Sequence, residues 1–222
     1  MKRVFIVGGA GKVAKHLIMQ LGEASCEALA LHRKPEQTRE LEALGATAIT
    51  GDLTQLTADE LALKMKGCDV VVFTAGAGGA GTEVTNAIDG RGLEISVDAA
   101  QKAGVPRFLL VSVFPDALRD GDRKEGFENY MRVKKRSDAY LVASDLEWVI
   151  VRPGTLSDAP GTGEVTLDVA ILYGDVPRED VATCLMQIIA EPAIRNVILE
   201  LTAGSEKVGV ALARLVSRAL RS

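Results

Sequence analysis

The 222-residue sequence predicts a doubly wound parallel α/β fold of three layers. The chain begins with a short apolar run that leads directly into a glycine-rich turn and a helical pattern. Apolar runs typical of buried strands then alternate with helical patterns along most of the chain. Because no linker or internal repeat interrupts the alternation, residues 1–222 are expected to form one Rossmann-like domain with a small loop-rich substrate region.

The expected elements follow from apolar periodicity and from the glycines, prolines and aspartates that interrupt it. The long helix expected at 88–103 is closed by Gly104, with Pro106 just beyond. Residues 155–177 are rich in Gly, Pro, Asp and Thr, and are expected to be a loop, lid or small hairpin beside the site. Strands are expected at 4–7, 26–31, 46–50, 69–74, 108–111, 148–151 and 197–201, and helices at 13–21, 39–44, 58–65, 88–103, 127–144, 180–190 and 208–220.

The turn after the first strand is the strongest candidate for a binding site. Gly8 and Gly11 have no Cβ, so their backbone can approach a bulky anion, and the small Ala14 lets the helix pack close to the strand. The unpaired N–H groups at the helix start favour a phosphate. This G-x-x-G-x-x-A pattern predicts a dinucleotide site, and the alternative is a glycine-rich turn without a ligand. The expected pyrophosphate residues are Gly8, Gly9, Ala10, Gly11, Lys12 and Val13.

The end of the second strand carries a basic turn, His32-Arg33-Lys34. A carboxylate at this position binds the ribose hydroxyls of NAD, whereas an arginine suits the 2′-phosphate of NADP. The first acid here is Glu36, and Lys12 adds a positive charge from the glycine loop. The turn therefore favours NADP, with NAD possible, unless it is simply a solvated basic turn.

Two further strand ends are candidates for the cofactor. Asp52 follows the third strand, where it could accept a hydrogen bond from the adenine amino group or only begin a turn. The fourth strand runs through Thr74 into Ala75, Gly76 and five more small residues, so residues 75–81 are expected to lie against the cofactor or to form a flap. The substrate pocket is expected to be lined by loops at 75–86, 113–126 and 155–177.

Tyr130 and Lys134 are four residues apart in the helix after the fifth strand, which places them on one face. An ammonium near a phenol lowers the tyrosine pKa, as general acid–base catalysis near neutral pH requires. The alternative is an amphipathic helix that happens to carry both residues. The other charges of this helix predict a solvated face and slightly favour a monomer: Glu125, Glu128, Arg132, Lys135, Arg136 and Asp138.

Taken together, the motifs resemble the short-chain dehydrogenase/reductase superfamily, in particular its atypical NAD(P)H-binding branch of NmrA-like and biliverdin/flavin reductase-like proteins. The resemblance covers nearly the whole chain and rests on VGGAGKVA near the start, GDL at 51–53, AGVPRFLLVS at 103–112, YMRVK at 130–134, RPG at 152–154 and PREDVA at 177–182. It implies that Gly8 and Gly11 hold pyrophosphate, Arg33 the 2′-phosphate, and Asp52 with Leu53 the adenine. It also implies that Lys134 holds the nicotinamide ribose, that Tyr130 donates a proton, and that the backbone of Pro153, Gly154 and Thr155 lies by the carboxamide.

The sequence departs from this family pattern after the fifth strand. Family enzymes usually have a serine or threonine there that orients the substrate carbonyl, often slightly later than the first serine. This chain has Ser112 at the strand end and Phe114 where the later hydroxyl is expected. Ser112 is therefore either a catalytic and cofactor-side residue or a strand-end residue that only makes structural hydrogen bonds.

The function expected first is an NADP-dependent oxidoreductase that transfers hydride to a small carbonyl, quinone or flavin-like acceptor through the Tyr130–Lys134 pair. The first alternative is a non-catalytic NADP(H) sensor or regulator. The second is a nucleotide-sugar epimerase or dehydratase, ranked last because the chain leaves little room for a sugar-binding domain.

Composition excludes several other classes. The formal net charge of −4 argues against nucleic acid, and three scattered cysteines indicate neither a disulfide framework nor a metal site. No apolar stretch has the length of a membrane span. We therefore expect a cytoplasmic protein with a small-molecule substrate, no membrane partner and no metal.

Overall fold

The computed structural model of the protein describes residues 1–117 and 125–219. Eleven strands are found in these residues. They are β1 (Arg3–Val7), β2 (Glu27–His32), β3 (Thr47–Thr50), β4 (Val70–Phe73), β5 (Arg107–Val111), β6 (Glu147–Pro153), β7 (Thr155–Ser157), β8 (Glu164–Asp168), β9 (Asp175–Pro177), β10 (Val197–Ala203) and β11 (Glu206–Lys207).

Helices cover both faces of the sheet. A 3₁₀ turn at Pro35–Gln37 and a π-helical segment at Asn86–Gly92 accompany the α-helices. The α-helices are α1 (Lys12–Glu23), α2 (Thr38–Ala43), α3 (Ala58–Met65), α4 (Thr82–Thr85), α5 (Leu93–Ala103), α6 (Glu125–Val142), α7 (Arg178–Ala190) and α8 (Val208–Ala219).

The main sheet has the strand order β11-β8-β10-β6-β5-β4-β1-β2-β3. The seven strands from β3 to β10 pair in parallel, whereas β8 runs antiparallel to both β10 and β11. The strand order reverses beside β1, which creates the crevice where ligands bind in such sheets. The doubly wound Rossmann-like fold expected from the sequence is confirmed.

The alternation of side chains along β1 explains the three layers. Val4 and Ile6 face a core formed with α1, α7 and α8, whereas Phe5 and Val7 face a second core formed with α3 and α5. All four side chains are fully buried. Because successive strand residues point to opposite faces, a continuous apolar run is what a strand covered on both sides requires.

Two expected elements differ in the structure. The helix expected at 88–103 begins earlier, at Thr82, and is interrupted by the π-helical segment. The 155–177 region is not a hairpin, because β7 and β9 pair in parallel and β8 joins the main sheet through the buried Val165 and Leu167. Its glycine and proline content concealed these short strands. Of the substrate loop expected at 113–126, residues 118–124 lie outside the described residues, as does Leu220 at the end of the last expected helix.

Parallel strands end at the same edge of the sheet, and this edge carries the expected site. Gly8, Arg33 and Thr74 directly follow β1, β2 and β4, and Ser112 directly follows β5. In the part of the chain that the structure describes, no helix is both long and apolar enough to cross a membrane.

Candidate functional site

The glycine loop after β1 is shaped by contacts that exclude larger side chains. Gly8 has a φ of 87°, and a Cβ placed on it would lie 2.6 Å from the backbone of Ala75. A Cβ on Gly9 would lie 2.6 Å from the Cβ of Ala30. Thr74 fixes the loop, since its backbone N–H and its hydroxyl both donate to the carbonyl of Val7, at 2.9 and 3.1 Å. This geometry makes the loop a rigid backbone cradle.

Helix α1 begins directly at this cradle. Gly11 precedes the first helical residue and provides no side chain to cap the helix. Its own N–H donates to the carbonyl of Gly8 at 2.9 Å, which closes the turn. An uncapped helix start presents N–H groups and the positive end of the helix dipole, and both favour a phosphate group.

A cavity of about 400 Å³ extends from the glycine loop to the ends of β2 and β3. It includes ten of the residues expected to bind the cofactor. They are Gly8, Ala10, Gly11, His32, Arg33, Asp52, Leu53, Thr74, Ala75 and Gly76. The cavity therefore connects the expected pyrophosphate site to the expected adenosine site.

At the end of β2, Arg33 is exposed and lines the cavity, whereas His32 is buried. The imidazole of His32 contacts the carbonyl of Lys34 at 3.1 Å and the hydroxyl of Thr38 at 3.3 Å. These contacts of His32 stabilise the basic turn, and Arg33 is the side chain of the turn that is exposed to a ligand.

Asp52 is committed to a local turn. Its Oδ1 accepts from the N–H of Thr54 at 2.9 Å and from the Thr54 hydroxyl at 2.7 Å. Partial burial raises the pKa of Asp52, but the hydrogen bonds from Thr54 and the charge of Arg33 outweigh burial, so the pKa lies below its usual value. Asp52 begins a turn through Oδ1 and also lines the cavity, which is compatible with both interpretations.

Several residues expected at the cofactor do not line this cavity. Gly9 and Val13 are buried, and Lys34 is exposed on the basic turn. Lys12 instead forms an ion pair with Asp158, which also accepts from Arg178 at 2.5 Å. These contacts tie the glycine loop to the segment between β7 and β8.

Tyr130 and Lys134 both lie on α6 as predicted, but the contacts of Lys134 are with residues other than Tyr130. Lys134 is only 3% exposed. Its ammonium donates to the carbonyl of Val111 at 3.1 Å and lies 3.5 Å from the carboxylate of Asp89, which is 2% exposed. The lysine is thus held inside the protein by the end of β5 and by the π-helical segment.

The expectation that Lys134 lowers the pKa of Tyr130 is wrong. Burial, followed by the negative charges of Asp89 and Asp138, raises the pKa of Tyr130 to about 12. The charge of Lys134 is compensated by Asp89, and a low-dielectric environment with two carboxylates favours the neutral phenol. Tyr130 therefore keeps its proton at neutral pH.

Ser112 belongs to a buried hydrogen-bond network. Its hydroxyl donates to Asp138 at 2.5 Å, and the other carboxylate oxygen of Asp138 accepts from Arg152 at 2.8 and 3.1 Å. A serine has one hydroxyl proton, so in this arrangement Ser112 cannot also donate to a substrate carbonyl. Of its two interpretations, the structure favours that of a structural strand-end residue. Asp138, expected on a solvated face, is 4% exposed, which corrects that expectation.

The end of β6 meets the small β7–β9 sheet. The N–H of Gly154 donates to Leu201 and that of Thr155 donates to Gly174, so both are occupied within the protein. Beside them, the rings of Phe114 and Tyr173 meet edge to face with centroids 5.3 Å apart. The Tyr173 hydroxyl lies 2.6 Å from that of Thr155. Phe114 and Tyr173 therefore form a pair of packed rings, here called the aromatic wall, beside the ends of β5 and β6.

Sequence reasoning missed Asp89 and the role of Asp138 and Arg152. Asp138 was detectable, because it follows Tyr130 and Lys134 at the same four-residue spacing on α6. Asp89 was not, since its inward position depends on the π-helical segment. Among the described residues, no group of His, Cys, Asp and Glu is arranged to hold a metal ion.

Comparison with known sequences identifies the family. Residues 8–192 match the sequence model of the NAD(P)H-binding family. The chain belongs to this family. It is 34% identical over 215 residues to the uncharacterized sugar epimerase YhfK of Bacillus subtilis, covering 96% of this chain and 100% of that protein. The match agrees with the atypical short-chain dehydrogenase/reductase branch that the motifs indicated.

Solved structures of NAD(P)H-binding relatives have the same fold. A candidate NAD-dependent epimerase/dehydratase from Bacillus halodurans superposes with a TM-score of 0.87 at 30% identity, covering 98% of this chain and 100% of that chain. The anaerobillin reductase ChuY from Escherichia coli O157:H7 superposes with a TM-score of 0.75 at 24% identity, covering 91% and 97% of the two chains. At this lower identity, the likeness to ChuY establishes the fold alone.

Proposed function

We propose that this protein is an oxidoreductase that prefers NADPH and transfers hydride to a planar quinone or flavin-like acceptor. The observation that carries the cofactor preference is the cavity that joins the glycine loop to Arg33. Among the described residues that line it, the one acidic residue, Asp52, is engaged with Thr54, whereas the Arg33 guanidinium is exposed. A guanidinium binds a phosphate through two parallel hydrogen bonds, which suits the 2′-phosphate of NADP.

The residues present fit the dinucleotide. The glycine loop leaves no room for a Cβ at Gly8, and helix α1 begins there without a side-chain cap. Gly8, Ala10 and Gly11 would hold the pyrophosphate, and Arg33 the 2′-phosphate. When bound, NADPH supplies the hydride and is oxidised to NADP⁺.

The α6 side of the site supports an acceptor that needs little acid catalysis. The only hydroxyl hydrogen of Ser112 is donated in a hydrogen bond to Asp138, and Lys134 is paired with Asp89. Tyr130, with its pKa raised to about 12, remains a neutral donor. It would give its Oη proton to the reduced acceptor and take one back from solvent. Quinones and flavins delocalise the incoming electron pair, so such a weak acid suffices for them better than for a simple carbonyl.

The aromatic wall supports the same acceptor class. Phe114 is buried, while Tyr173 is partly exposed. The neighbouring Leu172 is 91% exposed. The exposed side chains of Tyr173 and Leu172 would pack against a flat apolar ring system.

An NADPH oxidation assay with quinones, free flavins and aldehydes tests this function. We expect turnover with quinones or flavins, and a loss of only about 10-fold in Tyr130→Phe, smaller than the usual general-acid contribution because these acceptors need little acid catalysis. NADPH affinity should change less than about twofold in that variant, since Tyr130 does not line the cavity. Tyr140→Phe, on the solvent side of the same helix, is the matched control. Unchanged turnover in Tyr130→Phe would remove Tyr130 from the mechanism.

A non-catalytic NADP(H) sensor is the second candidate, and the internal engagement of Ser112 and Lys134 favours it. Tight NADPH binding without turnover on the whole panel would establish it over the oxidoreductase. The epimerase activity named for two relatives ranks third, because residues 155–177 form three short strands and not a sugar-binding domain.

A further inference from the structure

The π-helical segment brings one carboxylate into contact with two separate parts of the site. Asp89 lies in this segment and is 2% exposed. Its Oδ2 accepts from the N–H of Ala77 at 2.9 Å, and its Oδ1 lies 3.5 Å from the ammonium of Lys134. Ala77 belongs to the small-residue loop 75–81 and lines the cavity, whereas Lys134 lies on α6.

The segment itself is fixed against α6. The hydroxyl of Ser137 donates to the backbone carbonyl of Asp89 at 2.6 Å, and both residues are buried. A Cβ placed on Gly90 would lie 3.3 Å from Val133 of the same helix, so the backbone approaches α6 closely. π-helical turns are rare, and they are frequent at functional sites. Here the π-helical segment carries Asp89.

A buried carboxylate and a buried ammonium each require a partner. If an uncharged side chain replaced Lys134, Asp89 would be left as a buried carboxylate without its counter-charge and would turn toward water. This rotation weakens its hydrogen bond to the Ala77 N–H. The charge of Lys134 therefore supports the loop that lines the cavity, although no contact between Lys134 and this loop is needed.

We propose that Asp89 is a positioning residue that couples the small-residue loop 75–81 to Lys134, so that the cavity wall and the lysine adopt their positions together. The consequence for turnover depends on the proposed oxidoreductase function. The coupling itself does not, and it can be measured in the ligand-free protein.

The coupling is tested by amide hydrogen exchange at Ala77, measured by NMR in a double-mutant cycle. We expect Lys134→Met to accelerate exchange at this amide at least fivefold, because the acceptor carboxylate loses its counter-charge. In the Asp89→Asn background, whose amide oxygen still accepts from Ala77 without a charge, the same substitution should change exchange less than twofold. Lys134→Arg should restore slow exchange, since it restores the cation.

Lys135→Met is the matched control, because Lys135 is the next residue on α6 but is exposed and donates to Asp116. It should leave exchange at Ala77 unchanged. If Lys134→Met does not fold, rescue of folding by the added Asp89→Asn substitution supports the coupling, and Lys134→Gln replaces it in the cycle. An equal effect of the Lys134 substitution in both backgrounds, or no effect in either, would overturn the proposal.

The catalytic consequence is measured separately. Asp89→Asn should lower kcat with a quinone or flavin acceptor by about 10- to 100-fold, the cost of misplacing site groups by a fraction of an ångström. The KM for that acceptor should change less than about threefold. A protein with no turnover at all would contradict the proposed function while leaving the exchange result intact, so the two failures are distinguishable.

Discussion

The two sides of the site are built in different ways. The glycine-loop side, formed by Gly8–Gly11 with Arg33 and Asp52, consists of backbone close to backbone and an exposed guanidinium. The α6 side, formed by Ser112, Tyr130 and Lys134, consists of the buried side chains of Ser112 and Lys134 and the partly buried ring of Tyr130. Its polar groups pair across elements that are distant in sequence, such as Lys134 with Asp89. The glycine-loop side is open to a ligand, whereas the polar groups of the α6 side form buried hydrogen bonds and ion pairs that stabilise the fold.

Because of this difference, mutations on the two sides should affect different properties, ligand affinity on one side and folding stability on the other. Substitution of the exposed Arg33 on the glycine-loop side should reduce ligand affinity with small effects on folding. Changes on the α6 side should reduce stability first, because removing one member of a buried charged network leaves its partner uncompensated.

The largest effect is expected from Asp138→Asn. The substitution removes the charge that accepts two hydrogen bonds from Arg152, so the free energy of unfolding should fall by about 3 kcal/mol or more. Denaturant unfolding measures this change. Asp145→Asn, at an exposed position just beyond α6, is the control and should stay within about 0.5 kcal/mol of the wild type. Equal stability of the two variants would show that the network is not a stabilising core.

The next effect is expected from Gly8→Val on the opposite side. The new side chain would meet Ala75 at 2.6 Å and would force a β-branched residue to a φ of 87°. NADPH affinity should fall by at least about 100-fold, or ~2.7 kcal/mol. Calorimetric titration measures it, with Gly22→Ala as control, since a Cβ there meets no atom within 4 Å. Retained affinity in Gly8→Val would mean that the cradle is not the phosphate site.

The Arg33→Ala variant should affect the binding of NADPH but not that of NADH. Losing a charge-assisted hydrogen bond to a phosphate costs about 1.5–3 kcal/mol, so NADPH affinity should fall by about 10- to 100-fold. NADH affinity should remain unchanged, because NADH has no 2′-phosphate. The same titrations on Arg39→Ala, an exposed arginine on α2, should match the wild type. A parallel loss of NADH affinity would place Arg33 elsewhere on the ligand.

The smallest effect concerns the titration of Tyr130. Its pKa is raised from the ordinary 10 to about 12, so the folded state holds this proton longer than the unfolded chain. The stability contributed by the protonated phenol is therefore complete below about pH 10 and is lost as the pH rises toward 12. NMR of ring-labelled tyrosine in a Tyr140→Phe background resolves this titration. A pKa of Tyr130 below 10 would restore the originally expected effect of Lys134.

The fold and the glycine-loop side were predictable from the sequence because local rules determine them. The buried run of β1, the glycines that follow it and the helical spacing of Val13, Leu17 and Leu21 depend on neighbouring residues only. The basic turn at Arg33 was predictable for the same reason, since its position at the end of β2 follows from the strand pattern.

The α6 side was predictable only in part. The spacing of Tyr130 and Lys134 correctly placed both on one helix, but their partners come from other elements. Asp89 reaches Lys134 only because a π-helical segment interrupts the preceding helix, and Arg152 reaches Asp138 from β6. Such pairings are set by tertiary packing, so neither the direction of the Tyr130 pKa nor the burial of Asp138 followed from helical periodicity.

Separate calorimetric titrations of the wild-type protein with NADPH and NADH test the central claim most directly. An open cradle next to an exposed Arg33 predicts micromolar or tighter binding of NADPH, with NADH at least about tenfold weaker. Equal affinities would contradict the role of Arg33 in cofactor selection. Binding of neither dinucleotide would contradict the assignment of this cavity as the cofactor site.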